Sequence, residues 1–213
     1  MKVVSFNQVN VTLMRSKLFQ LDEGFRNEIV GFFLLWFYTI NIKQSTSSIA
    51  MYPNETMLLE DIFTYLGAVS GPPASKSLAP PTPAHIEAII SILERWPSSQ
   101  RFPLIDLSRL VFAFCPKSPF DVPGLKTKFL DSLFVAAEWG GREGSSEIPM
   151  GKVRETNTTL VLKALANAVG EWNGGSEEIE VQLLSKVVED VGKMPYTRLV
   201  KSQKVAFATV LFK

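Results

Sequence analysis

The feature that most constrains this chain is the spacing of its apolar residues, which recur every three or four positions along almost its whole length. That spacing puts apolar side chains on one face of a helix, whereas the alternation typical of half-buried strands is nearly absent. The pattern predicts about eight helices of roughly 10 to 17 residues, joined mostly by short turns. One of them is predicted over residues 176–191. We therefore expect an all-α fold, either an irregular bundle or stacked helix pairs of the armadillo or HEAT kind.

Local signals predict where several helices begin and end. Thr82 and Pro83 are typical of an N-cap and a first helical position, and Pro97 ends the helix that follows them. Asn54 is predicted to be the N-cap of an earlier helix, and Gly170 marks the end of a later one. The apolar stripe of the first helix is predicted to contain Val9, Leu13, Leu18 and Leu21.

Composition limits the partners that the chain can have. Its 213 residues, 46% of them hydrophobic, are enough for one domain with a substantial core. The formal net charge of +1 lacks the basic excess that nucleic acids and anionic membranes usually require. The most apolar run, Val30 to Ile42, is shorter than the roughly 18 to 20 residues that span a bilayer. We expect neither a nucleic acid nor a membrane as partner.

Signals for catalysis are missing from the sequence. His85 is the only histidine and falls in the first turn of a predicted helix, without a cysteine or acidic cluster to complete a metal site. Cys115, the only cysteine, has no histidine to activate it and is predicted to pack as a small hydrophobe in a reducing compartment. Phosphate-binding and hydrolase motifs do not occur. We expect no enzyme, no metal and no cofactor, and these absences disfavour the alternative of a helical hydrolase.

Polar residues on otherwise apolar helices are the remaining candidates for a site. In residues 101–116, Asp106 and Arg109 are three positions apart and can pair on one helix face. Lys163 and Asn167 are four positions apart on a later helix and also share a face. The residues alone leave two interpretations open. One is a solvated or internal polar stripe, and the other is a groove for an extended acidic peptide or its terminal carboxylate.

Three stretches are similar to a known family: "RWPSSQRFPLIDLSRLVFAFCP", "PGLKTKFLDSLFVAAEW" and "RETNTTLVLKALANAVG". They resemble the PUL domain at the C-terminus of phospholipase A2-activating protein and its fungal ubiquitin-homeostasis counterparts. The opening "FNQVNVTLMRSKLFQLDEG" and the late "KVAFATVLF" resemble the same family, and residues 96–168 are its most specific part here. The resemblance implies one armadillo-like α-α superhelix over residues 1–213.

The resemblance also implies a function and a site. PUL domains of this family are adaptors without catalytic activity that bind the acidic C-terminal tail of valosin-containing protein, a hexameric AAA ATPase, in ubiquitin homeostasis and ubiquitin-dependent degradation by the proteasome. The implied location is the cytoplasm and nucleus. In the family a WD-repeat propeller and a ubiquitin-binding PFU domain precede the PUL domain, so ubiquitin would be bound outside this chain. Tail binding is carried over to Arg109, Asn157, Lys163 and Asn167, which lie in or beside the most specific segments.

Two departures from the family pattern qualify that expectation. Residues of about 30–50 interrupt it with a composition that fits neither a helix stripe nor a loop, and we interpret them as an insertion or a retained intron. The sequence also stops at Lys213, before the closing helices expected of the family, so a domain truncated at its C-terminus is predicted. The alternative function is accordingly a truncated or mis-spliced family member that has lost tail binding.

Overall fold

The computed structural model describes residues 10–36, 49–70, 78–139, 151–170 and 199–212, together with positions 185, 188, 189 and 197. Seven α-helices and two short 3₁₀ helices have both ends within these residues, positions 185, 188 and 189 are also helical, and no described residue is in a strand, which confirms the all-α prediction. The α-helices are α1 (Val11–Trp36), α2 (Pro53–Ser70), α3 (Pro83–Arg95), α4 (Phe102–Phe114), α5 (Leu125–Ala136), α6 (Lys152–Gly170) and α7 (Lys201–Phe212). The 3₁₀ helices are Ser98–Gln100 and Ser118–Phe120. Most of the helix predicted over residues 176–191 lies outside the described residues.

Helix α3 begins and ends where its sequence predicts. Thr82 is the N-cap and Pro83 the first helical residue. The ring Nδ1 of His85 accepts a hydrogen bond from the Thr82 N–H at 2.9 Å, which is the role that Glu or Gln usually has in a capping box. The helix stops before Trp96, whose backbone is extended because Pro97 follows it. His85 is therefore part of the helix start, as its first-turn position indicates.

Helix α2 begins differently from the prediction. Its first residue is Pro53, so the prediction that Asn54 is the N-cap is wrong. Proline favours the first helical position because its fixed φ is already helical and it has no N–H to leave unpaired. Glu55 then caps the helix from its third position, where its Oε2 accepts a hydrogen bond from the Tyr52 N–H at 2.8 Å.

Helix α1 packs on the rest of the molecule through a stripe that includes Leu18 and Phe25, both buried. Leu13 is 67% exposed, so its assignment to this stripe is wrong. Five residues separate it from Leu18, and at 3.6 residues per turn that places it about 140° around the helix axis. Leu21 is half-buried, and Val9 lies outside the described residues.

The core is built from helices that pack mainly on near neighbours in the sequence. α2 packs on α3, α3 on α5, α4 on α6, and α6 on α7, which is the arrangement of an α-α superhelix. α4 also contacts α1, α2 and α3, so it is covered on several sides and is buried through most of its length. The polar residues of α4 must therefore find partners inside the protein.

The segment of about 30–50 is helical at its beginning. α1 continues without interruption to Trp36, which the composition of the segment does not predict. At the other end Ala50 and Met51 are buried, and residues 37–48 lie outside the described residues. Where the structure describes the chain, no helix is both long and apolar enough to cross a bilayer. The insertion itself stays a prediction.

Candidate functional site

Asp106 and Arg109 form an ion pair within α4. The Arg109 Nε donates a hydrogen bond to the Asp106 Oδ1 at 2.6 Å, which confirms that the two residues pair on one helix face. The Arg109 side chain is only 7% exposed, whereas that of Asp106 is 27% exposed. A guanidinium so far out of water is retained because a charge-assisted hydrogen bond offsets its lost hydration.

Asn167 connects α6 to the same part of α4. It is buried, and its Nδ2 donates a hydrogen bond to the main-chain oxygen of Arg109 at 3.0 Å. That oxygen belongs to the helix turn that also holds the Asp106–Arg109 pair. The fold thus brings Arg109 and Asn167 together although they are far apart in the sequence.

Asn157 lies at the other end of α6. It is 1% exposed, and its Nδ2 donates hydrogen bonds to the main-chain oxygens of Ser98, at 2.9 Å, and Ala136, at 3.3 Å. Ser98 is the first residue of a 3₁₀ helix, and Ala136 is the last residue of α5, where main-chain acceptors lack helical partners. Asn157 is separated from Asn167 by about 15 Å along the helix axis, so the two asparagines hold opposite ends of α6.

Lys163 lies between the two asparagines on α6 and is half-buried. It precedes Asn167 by one turn, about 6 Å along the axis. Arg109, Asn157 and Asn167 are all buried, so Lys163 is the most solvent-accessible of the four predicted site residues. The structure brings Arg109 and Asn167 together where α4 meets α6, and it leaves Asn157 near the other end of α6.

The charges of the last two described helices differ from those of the early helices. We name α6 and α7 the basic end, because they carry five basic residues and one acid, Glu155. The basic residues are Lys152, Arg154, Lys163, Lys201 and Lys204. The two helices are also joined, since the Gln203 Nε2 donates a hydrogen bond to the main-chain oxygen of Glu155 at 3.0 Å. The basic end therefore carries a local excess of positive charge, which favours anions.

Cys115 and His85, the two side chains of the types most often used in catalysis, have structural roles here. Burial raises the pKa of the Cys115 thiol to about 12, so it is not a thiolate at neutral pH. Cys115 packs against the core, as predicted for a small hydrophobe. His85 caps α3, and no cluster of His, Cys, Asp or Glu suited to a metal ion occurs in the described ranges. The arrangement suits recognition by charge and hydrogen bonding.

Comparison with known protein families matches residues 38–213 to the PUL domain. The chain belongs to the PUL domain family. The predicted resemblance and the predicted armadillo-like helical fold are thereby confirmed. PUL domains are non-catalytic binding domains, and as a family they bind the C-terminal tail of valosin-containing protein. No curated protein and no solved structure matches the chain.

The PUL match includes all four predicted site residues and begins after α1. α1 nevertheless packs on the matched part, where the Phe25 and Trp96 rings meet edge to face with centroids 5.2 Å apart. The Asp22 Oδ1 accepts a hydrogen bond from the Met51 N–H, and the Arg26 Nη2 donates one to the Met51 oxygen. A domain that starts at residue 1 stays a prediction, and the match begins inside the proposed insertion.

Reasoning from single motifs missed most of the basic end of this PUL domain. Lys152, Arg154, Lys201 and Lys204 belong to no short motif, because each is an ordinary basic residue on an ordinary helix. A count of charges helix by helix would have found them, since acids are so few on α6 and α7. The overall net charge of +1 hides this asymmetry.

Proposed function

We propose that this PUL domain binds the acidic C-terminal tail of valosin-containing protein and acts as an adaptor in ubiquitin-dependent degradation, in the cytoplasm and nucleus. The single observation that carries the proposal is the basic end, five cations against one acid on two helices that pack together. An acidic peptide is attracted to such a surface and is held by charge-assisted hydrogen bonds. The family binds this tail, and the acidic character that the resemblance implies for it matches the charge of the basic end.

The four predicted residues have different roles in this proposal. Lys163 is the accessible cation and contacts a tail carboxylate directly. Arg109 adds positive charge beneath the surface, with Asp106 holding its side chain through the hydrogen bond at Nε. Asn157 and Asn167 hold α6 in place through main-chain carbonyls of neighbouring elements, so they position the surface on which the tail lies.

The test is a titration of a fluorescein-labelled tail peptide against the whole chain, followed by fluorescence anisotropy. Lys163→Glu is expected to weaken binding about tenfold or more, because it replaces an attraction by a repulsion. The matched control is Lys17→Glu, the same charge change at an exposed position on α1, and it is expected to leave the affinity within about twofold. Added salt should weaken wild-type binding.

Two results would count against the proposal. Equal affinities for the wild type, Lys163→Glu and Lys17→Glu would show that the tail does not bind at the basic end. A wild type that binds the tail no tighter than a peptide with its acids replaced by amides would favour the alternative, a family member without tail binding.

A further inference from the structure

A groove runs along α5 on the side that faces the end of α3. Its volume is about 510 Å³, which is within the range of small-ligand and peptide sites. Six of the lining residues belong to one face of α5 and its N-cap and recur at spacings of three and four, and one residue of α3 completes the wall. They are Glu94, Gly124, Thr127, Lys128, Asp131, Ser132 and Val135.

The sequence of α5 explains why a groove exists there. Its core face carries large side chains such as Leu125, Phe129 and Leu133, whereas the groove face carries the smaller Thr127 and Ser132. Gly124, at the head of the groove, has a φ of +79° and open space where a side chain would begin. Small residues on one face of a helix leave room beside it, and the groove extends for about 16 Å along α5.

The groove has an apolar floor and an acidic rim. Its surface is mostly apolar, and Val135 is 66% exposed at one end of it. The one polar group of the buried Ser132 is already used, since its Oγ donates a hydrogen bond to the Phe129 oxygen at 2.7 Å. Glu94 and Asp131 lie on the rim, opposed by one cation, Lys128. A groove of mostly apolar surface with a few polar groups around it is the usual form of a binding site.

The acidic character of this rim continues along α3. Glu87 is exposed and precedes Glu94 by seven residues, so both lie on one face of the helix about 10 Å apart. The rim therefore favours a cationic ligand, the opposite of what the basic end favours. The length of the groove fits about five residues of an extended peptide.

We propose that the α3–α5 groove binds a basic peptide segment of a second partner protein, with an apolar side chain of that segment against Val135 and its cations at Glu94 and Asp131. The site is separate in sequence and in charge from the basic end. A PUL domain with both surfaces joins an acidic tail on one of them to a basic segment on the other. Binding at the groove does not depend on the tail.

The experiment uses the whole chain and a labelled twelve-residue peptide of lysines and leucines, with a peptide of glutamates and leucines in the same order as its control. The lysine peptide is expected to bind, and the glutamate peptide is expected not to compete with it for the groove. Glu94→Lys combined with Asp131→Lys should weaken binding of the lysine peptide about tenfold or more. Val135→Ser should weaken it about threefold, because one apolar contact is lost.

The matched control is Glu23→Lys, a charge reversal at an exposed position on α1 that should leave the affinity unchanged. Glu94, Asp131 and Val135 are outside the buried core, and circular dichroism of each variant verifies the fold before binding is measured. Equal weakening by Glu23→Lys and by the groove variant would mean that the peptide binds to acidic charge in general, and it would overturn the proposal. A concentration-dependent dimer that Glu94→Lys dissociates would make the occupant a second copy of this chain and would also overturn it.

Discussion

Helices α2 and α3 carry mostly acids, the opposite of the basic end, and several of these acids pair with residues on neighbouring helices. They carry five acids, Glu55, Glu60, Asp61, Glu87 and Glu94, against one basic residue, Arg95. Three of these acids lie close to a partner on a neighbouring helix: the buried Glu55 pairs with Arg95, the partly exposed Glu60 pairs with Arg15, and the Oδ2 of the exposed Asp61 lies 3.8 Å from the His85 Nε2. On α6 and α7 one acid accompanies five cations.

The comparison separates charge that stabilises the fold from charge that is suited to a partner. The Arg95 Nη1 and Nη2 donate to the two carboxylate oxygens of Glu55 at 2.8 and 2.5 Å, and the guanidinium lies 4.5 Å from the Tyr52 ring centre. A bidentate, mostly buried pair of this kind joins α2 to α3. At the basic end the elements are joined by amide side chains and main-chain carbonyls, and the Arg154 Nη2 also donates a hydrogen bond to the main-chain oxygen of Glu138 at 2.8 Å.

The largest expected effect is at the Glu55–Arg95 pair. Arg95→Ala should lower the free energy of unfolding by about 3 kcal/mol, because the Glu55 carboxylate would stay buried without its partner. Urea denaturation measures the change. The matched control is Arg15→Ala at the exposed pair with Glu60, which should lower it by less than about 1 kcal/mol. Equal losses in the two variants would contradict the division between buried and surface pairs.

The same pair predicts a dependence on pH. Burial by itself raises the pKa of Glu55, but hydrogen bonds from Arg95 and the Tyr52 N–H outweigh it and lower the pKa below its ordinary 4.5. The stability that ionised Glu55 contributes is therefore fully present above pH 4.5 and is lost as the pH falls through the lower value of the folded state. The difference in unfolding free energy between the wild type and Glu55→Gln should be constant above that pH and shrink below it. A stability difference that grows as the pH falls would contradict this prediction, because it would mean that the folded state raises the pKa of Glu55.

A smaller effect on stability is expected at the basic end, where amide side chains rather than ion pairs join the helices. Asn157→Ala should lower the free energy of unfolding by about 2 kcal/mol, because the carbonyls of Ser98 and Ala136 would lose a buried donor. Thr156→Ala, at the exposed neighbouring position, is the control and should cost less than about 0.5 kcal/mol. Thermal unfolding of the two variants tests this, and an Asn157→Ala protein as stable as the control would remove Asn157 from its positioning role.

The smallest effect is expected at the start of α3. His85→Ala should destabilise the protein by about 1 kcal/mol, because the Thr82 N–H would lose its acceptor. His85→Gln should recover most of that loss, since glutamine is an ordinary capping-box residue at this position. Urea midpoints distinguish the variants, and a glutamine variant no better than the alanine variant would mean that the ring contributes by packing alone.

The sequence predicts the helices well wherever residues within one turn determine where a helix begins or ends. The start of α3 follows from Thr82, Pro83 and their neighbours, because capping depends on residues within one turn. The predictions that Leu13 is in the buried stripe and that Asn54 is an N-cap are wrong, since neighbouring residues fit the local pattern equally well. Which face of a helix is buried depends on what packs against it, and that is decided by distant parts of the chain.

The Asp106–Arg109 pair was predictable from the sequence, but its burial was not. The spacing of Asp106 and Arg109 gives their ion pair directly. That Arg109 is nearly enclosed, and that the Asn167 amide binds its main-chain oxygen, requires the contact between α4 and α6, which no local pattern specifies. The family resemblance supplied the identity of the domain, and the structure supplied the helix-by-helix arrangement of charge.

The central claim is that the basic end, and not the acidic helices, binds the acidic tail. The most direct measurement is a two-dimensional ¹H–¹⁵N NMR titration of the whole chain with the unlabelled tail peptide of valosin-containing protein. The account predicts that the amide signals that shift belong to α6 and α7, and that the shifts of Lys163 and its neighbours are among the largest. The signals of α2 and α3 are expected to stay in place. Movement concentrated on α2, α3 or the α3–α5 groove, or no movement at all, would contradict it.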